Sequence, residues 1–165
     1  MMATTPSSAP RESPCYATAM RKASRRLTQL YDDALEPCGL RSTQYAIFAE
    51  LAPRLAEPPT LAELANALVT DRSSLGHTLR PLERDGYVAL RAGAEDRRQR
   101  RIVLTARGRS KFEEATALWQ IAQDRFVAVH GAADGAGLRA VLLGIANDDR
   151  LAVLRESDSG SVTKP

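Results

Sequence analysis

Cysteine and histidine are scarce in this 165-residue chain, with two of each. Two cysteines cannot build the disulfide framework of a small secreted domain. Most of the segment between Cys15 and Cys38 is patterned as helix, and about 20 residues of helix span ~30 Å. A bond across it would exceed the permitted Cα separation, so two reduced thiols are expected. His77 and His130 share no zinc-site spacing with them. A glycine-rich phosphate loop, a metal cluster and a nucleophile–base set are also missing. Nothing therefore points to an enzyme, a metal or a cofactor. No apolar run approaches the ~20 residues of a membrane span. The opening MMATTPSSAPRESP has no hydrophobic signal region, which leaves the cytoplasm as the expected location.

What the chain does contain is enough apolar residue for a core (44%) and a charged fraction (26%) ordinary for a soluble domain. Net charge is only +3, but its distribution is uneven. Between Arg91 and Lys111 eight basic residues face only Glu95 and Asp96, a net of +6 that leaves −3 for the remainder. Such a concentrated patch is an electrostatic footprint for a polyanion.

Apolar residues at intervals of three and four (Tyr16, Met20, Ala23, Leu27, Leu30, Ala34) predict a helix from Tyr16 to Leu35, ended by Pro37 and Gly39. A second helix is expected from Ser42, read as its N-cap, with Gln44, Phe48, Leu51 and Leu55 on one face. Thr60 and Glu63 have the spacing of a capping box opening a short third helix. Thr70 and Asp71 supply a turn and a new cap. From Arg72, Leu75, Leu79 and Leu82 repeat toward Gly86, placed as the residue just past the helix end. Pro81 inside that pattern predicts a bend or a loosened turn. The β-prone runs Tyr87–Arg91 and Arg101–Leu104, joined by a charged loop, read as a hairpin. Thr105 caps a long helix with Phe112, Ala115, Trp119, Ala122 and Phe126 along one stripe. GAADGAG is expected to break it before a last helix with Leu138, Val141, Leu142 and Ile145, and with Leu151 and Leu154 as further members.

The run from Thr60 to Thr105 is thus helix, turn, helix and arginine-loaded hairpin, a combination that can put one element in the major groove of DNA and an arginine beside it. The terminal helices carry more apolar surface than this small module could cover, which a homodimer would bury. The expected organisation is a disordered tail at 1–14, a dimerisation helix at 15–42, the DNA-binding module at 43–105, dimerisation helices at 106–155 and a second tail at 156–165.

The blocks LTDRSSLGHTLRPLERDGYV and EDRRQRRIVLTARG resemble the MarR-type (multiple-antibiotic-resistance regulator) winged helix-turn-helix transcription factors. The second block carries D-x-R before a strand ending in Leu-Thr and a following Gly. The resemblance implies a mostly α fold with a small β-hairpin wing, assembled as an intertwined homodimer on double-stranded DNA. It also implies a repressor of neighbouring genes, its own included, acting at a pseudo-palindromic operator. Arg72, Ser73, Ser74, His77, Thr78 and Arg80 become the recognition-helix candidates. Arg98 becomes the minor-groove residue, oriented by Asp96. Arg97, Arg100 and Arg101 are expected at phosphates.

Such regulators usually respond to a small aromatic or phenolic effector between the dimer helices and the winged module, for which Tyr16, Tyr31, Tyr45 and Phe48 are pocket candidates. At helical spacing these aromatics also suit a core. Cys15 at a helix start is a candidate redox site, since the helix dipole can lower a thiol pKa. SRRLTQLY resembles the corresponding stretch of organic-peroxide-sensing members, although Cys15 lies further from it and a basic residue replaces one of their tyrosines. A winged helix used only for protein–protein contact is the remaining alternative.

Overall fold

Side chains placed for the purpose close the starts of the second to fifth helices and set where these elements begin. The computed structural model of the chain describes residues 14–93 and 99–151. The two expected tails, apart from Pro14, and Leu154 lie outside the described residues. Helix α1 spans Tyr16–Leu35 and passes through a 3-10 turn, Glu36–Cys38, to Gly39 at φ +72°. Helix α2 spans Ser42–Leu51. Ser42 is its first helical residue rather than the expected N-cap. Its amide donates to Asp32 Oδ1 of α1 at 2.7 Å, while the Arg41 amide donates to Gln44 Oε1 at 2.9 Å. A carboxylate distant in sequence has taken the capping role, which local spacing could not reveal.

Helix α3 spans Leu61–Ala67 behind the expected capping box. The Glu63 amide donates to Thr60 Oγ1 at 3.2 Å and the Thr60 amide to Glu63 Oε2 at 2.7 Å. Helix α4 spans Arg72–Arg84 under the cap of Asp71, whose Oδ1 accepts the Ser74 amide at 2.8 Å. The helix continues through Pro81 without interruption. Both α3 and α4 end in the same two-bond motif. At α3 the Thr70 and Val69 amides donate to the Ala65 and Asn66 carbonyls; at α4 the Tyr87 and Gly86 amides donate to Leu82 and Glu83. This motif needs a left-handed residue just past the helix. Gly86 supplies it at φ +75°, but at α3 the position is Val69, at φ +49° and 64% exposed. A β-branched residue there is strained.

Strands β1 (Val88–Ala92) and β2 (Arg100–Leu104) pair antiparallel with Val88 opposite Leu104 and Arg91 opposite Arg101. The sheet gains a short third edge, because the Ile102 amide donates to the Pro59 carbonyl at 2.8 Å and Thr60 bridges Arg101. Helix α5 spans Ala106–His130, and Thr105 Oγ1 accepts the Gly108 amide at 2.9 Å. Only Gly131 breaks the chain before α6 (Ala132–Ala146), which meets α5 at 109°. Most of GAADGAG is therefore helical. Alanines and an Asp in the first turn outweigh two interior glycines, each of which costs about 1 kcal/mol against Ala. No single described helix is long and apolar enough to cross a membrane.

The core gathers Leu35, Ile47, Phe48, Leu51, Leu64, Leu82 and Ile102, all nearly or fully inaccessible. It seats α2, α3, α4 and the hairpin against the first half of α5. Helix α6 buries none of its residues. Gly108 marks the tightest crossing: a Cβ there would overlap the Tyr87 carbonyl oxygen and press Leu104.

Two opposite stability changes follow. Gly108→Ala should lower unfolding free energy by about 1–3 kcal/mol, the usual cost of overpacking. Val69→Gly should raise it by about 1 kcal/mol through relief of strain. Urea unfolding followed by circular dichroism checks both, and equal midpoints for the three proteins would contradict them. A pH effect is expected at Asp71, whose carboxyl is held below its ordinary value by the Ser74 hydroxyl and amide. Because the folded value is depressed, its contribution is full above the ordinary carboxylate range and is lost as pH falls through the folded value. Exchange of the Ser74 amide should accelerate relative to the α4 interior on acidification, an effect absent in Asp71→Ala.

Candidate nucleic-acid interface

Helix α4 has one buried face and one exposed face. Leu75, Leu79 and Leu82 are buried. Arg72, Ser73, His77 and Arg80 are exposed, and the two arginines hold no ion pair among the described residues. The other two recognition candidates are partly committed. The Ser74 hydroxyl donates to Asp71 Oδ2 at 2.6 Å, and the Thr78 hydroxyl donates back to the Ser74 carbonyl at 3.1 Å. Ser74 and Thr78 line a shallow cleft with Thr43 of α2. The start of α2 therefore stands beside the reader face, a placement that sequence spacing did not identify. Arg41, next to it, has a 74% exposed side chain and a 3.4 Å ion pair to Asp32.

The basic segment read as one patch divides into different roles. Asp96, Arg97 and Arg98 lie outside the described residues. Arg100 and Arg91 are exposed on the hairpin. Arg101 faces the other way from Arg100, as strand alternation requires. Its guanidinium donates to the Pro58 carbonyl and to Glu63 Oε2, both at 3.1 Å, and to Gln99 Oε1 at 3.3 Å. Glu63 is held below its ordinary pKa chiefly by the Thr60 amide and hydroxyl, with Arg101 adding to the effect. Arg101 thus braces the hairpin to the α3 cap, whereas the sequence had grouped it with the phosphate contacts.

Arg107 and Lys111 flank the Tyr87 ring at 5.2 and 5.9 Å from its centroid. Lys111 also donates to the Cys38 carbonyl at 3.1 Å and to Glu114 at 2.8 Å. These two cations pin α5 to the module.

The pocket candidates separate. Tyr16 is 86% exposed at the start of α1. Phe48 is fully buried against Tyr87 and Phe112. Tyr45 is buried, stacks on Trp119 at 5.6 Å and packs on Phe112 at 5.2 Å, and its hydroxyl lies 3.4 Å from Thr116 Oγ1. Tyr31 is half-buried, and burial together with Tyr45 raises its hydroxyl pKa. An aromatic group therefore joins Tyr45, Phe112 and Trp119 with Tyr31 nearby. The α5 members had been visible only as a stripe. Cys15 is exposed, its thiol pKa lowered chiefly by a hydrogen bond with the Thr18 side chain. Cys38 is buried and its thiol donates to the Leu35 carbonyl at 3.0 Å; neither cysteine is in a disulfide.

No family model matches the chain. It is 32% identical over 95 residues to the uncharacterised HTH-type transcriptional regulator YwoH of Bacillus subtilis, covering 58% of this chain and 67% of that protein. It is 35% identical over 81 residues to the transcriptional activatory protein BadR of Rhodopseudomonas palustris, covering 48% of this chain and 46% of that one. Among solved structures, the transcriptional regulator MosR of M. tuberculosis in complex with DNA superposes with TM-score 0.73 at 34% identity, over 85% of this chain and 99% of MosR. MarR of E. coli shares the fold at TM-score 0.66 and 20% identity, over 81% and 98% of the two chains. With the helix pair and hairpin in place and these relatives beside them, the chain belongs to the MarR family of winged helix-turn-helix transcriptional regulators.

Proposed function

We propose that this chain is a sequence-specific regulator that binds a two-fold-related operator as a homodimer and represses transcription until an effector releases it. The observation that carries the DNA reading is the exposed face of α4, where Arg72, Ser73, His77 and Arg80 project beside an arginine-bearing hairpin. Arginine and histidine donors on such a face suit base edges and phosphates of the major groove. MosR, a relative at 34% identity, was solved on DNA, which supports the same use here. Arg98 is assigned to the minor groove and Arg100 to the phosphates.

The dimer is supported by the apolar surface left open on the last two helices. Ile121 (60%), Val129 (65%), Val141 (61%) and Leu143 (54%) are exposed, far more than an isolated monomer leaves uncovered without use. Pairing two copies through these helices would space two readers for half-sites one helical turn apart. The effector is proposed to be a small aromatic or phenolic molecule near Tyr31, Tyr45 and Trp119. A peroxide-sensing reading is favoured by one observation, the exposed and acidified Cys15 thiol.

Affinity for DNA from upstream of its own gene should fall steeply with salt. Arg98→Ala should weaken binding and reduce the log–log salt slope by about 1 while leaving thermal unfolding unchanged. Binding to that DNA that is indifferent to salt and to Arg98→Ala would eliminate the interface and favour a protein–protein module. Sedimentation should show a dimer that Val141→Glu together with Leu143→Glu converts to monomer, with loss of the DNA complex; a wild-type monomer would refute the assembly. Phenolic compounds and peroxide, added separately to the shift assay, divide the two switches. Peroxide release that survives Cys15→Ser would remove the redox reading.

A further inference from the structure

The turn after α3 requires a left-handed residue but not a valine. At the equivalent place after α4 a glycine meets that backbone, whereas here a β-branched side chain is held at φ +49° and stands 64% exposed. Strain of this kind gathers at functional contacts. Val69 lines a cleft of about 830 Å³ between the turn that joins α3 to α4 and the end of α6. Ile145 and Leu151 line the same cleft from the α6 side, exposed at 37% and 67%. The charged lining is wholly acidic: Asp71, Asp148 and Asp149, with no basic residue. Asp71 caps α4 and Asp148 is paired with Arg150 at 2.7 Å, while Asp149 holds no ion pair among the described residues.

We infer that the chain's own Val153 and Leu154 dock in this cleft against Val69 and Ile145, with Arg155 beside the carboxylates. Three observations select this occupant. The described residues end at Leu151, itself part of the lining, and three further residues reach no more than ~11 Å from it. Those residues, Ala152, Val153 and Leu154, are all apolar, and the ESDSGS that follows Arg155 is polar. A cation directly after an apolar pair also complements a cleft with apolar rims and unbalanced acidic charge. Docking would cover Val69, offsetting part of its strain, and would tie the end of α6 to the turn that opens the reader. A reader held in this way meets DNA with less freedom left to lose. That consequence rests on the DNA-binding function proposed above; the docking itself is read on the free protein, so either can fail alone.

The test is disulfide trapping in the full chain carrying Cys15→Ser, Val69→Cys and Val153→Cys. Oxidation with diamide should close an intrachain bond, seen on a non-reducing gel as a faster band of unchanged mass. Adding Leu154→Asp should slow that closure about tenfold, as loss of one buried leucine anchor predicts. No bond, a bond of doubled mass from a second copy in the cleft, or a rate indifferent to Leu154→Asp, the mark of a mere tether, would each overturn the docking. In methyl NMR of the full chain, Leu154→Asp alone should move the Val69 and Ile145 signals and leave those of Val141 and Leu143 in place. Unmoved Val69 and Ile145 signals would likewise overturn it. In a DNA-shift assay Leu154→Asp should weaken binding about fivefold, and the oxidised cysteine pair should bind at wild-type affinity. Trapping as expected with wild-type DNA affinity for Leu154→Asp would discard the coupling and keep the docking.

Discussion

The Tyr87 carbonyl oxygen is the point on which the arrangement depends. It accepts both the amide and the hydroxyl of Thr105, at 3.0 and 3.1 Å, and its approach to α5 leaves no room for a Cβ at Gly108. Three functional elements meet there. The reader helix has ended at Arg84, β1 begins at Val88, and α5 starts at Ala106. The single Thr105 hydroxyl proton is shared with the Gly86 carbonyl, the nearer acceptor at 2.7 Å, so the left-handed turn that closes α4 is bound to the cap that opens α5. The Tyr87 ring continues the joint by packing edge-on against Phe48 and taking Arg107 and Lys111 on its flanks. Interiors packed this closely transmit displacement rather than absorb it. Under the proposed dimer, a change in how two copies of α5 cross would reach the hairpin and the reader through this one contact.

Features written in local spacing were legible in the sequence. Thr60, Asp71 and Thr105 cap helices because a cap spans three residues, and Gly86 closes α4 because a glycine tolerates positive φ at no steric cost. The Leu-Thr and following Gly of the wing block turn out to be the two halves of the Tyr87 contact. What spacing could not show were long-range substitutions for local roles. Asp32 holds the Ser42 amide from ten residues away, and Thr43 borders the reader only through the packing of α2 on α4. At Val69 the sequence offers no turn residue at all, yet the paired amide bonds to Ala65 and Asn66 hold the chain in the left-handed region. Tertiary seating of α3 and α4 outweighs the local preference, at a strain of about 1–3 kcal/mol.

Charge counting did not separate the roles of the cations. Eight cations in one segment suggested one footprint, but Arg101, Arg107, Arg109 and Lys111 each hold a carbonyl, a carboxylate or a ring inside the module. An arginine so engaged gives up orientational freedom and part of its donor set, so under the proposed function it would act on DNA chiefly through its long-range field. Under the same proposal, short-range contacts fall to groups with free donors on exposed faces, which on α4 means Arg72, Ser73, His77 and Arg80. The Ser74 and Thr78 hydroxyls are spent on capping and back-bonding, so neither offers a free donor.

The two ends of α2 stand in different surroundings. Tyr45, near the start of α2, belongs to the aromatic group with Trp119, while Leu51, its last residue, packs at the hairpin root beside Ile102 and Leu104. Between them Ile47 and Phe48 are sealed in the core, at 1% and 0% exposure, so the ten residues of α2 have little freedom to deform internally. A rigid helix that is pushed at one end must tilt or slide as a body. Movement at the aromatic end would therefore appear at the Leu51–Pro58 segment and the wing root. A ligand or partner acting on one end of α2 need not touch the other end to influence it; it need only prefer one position of the helix.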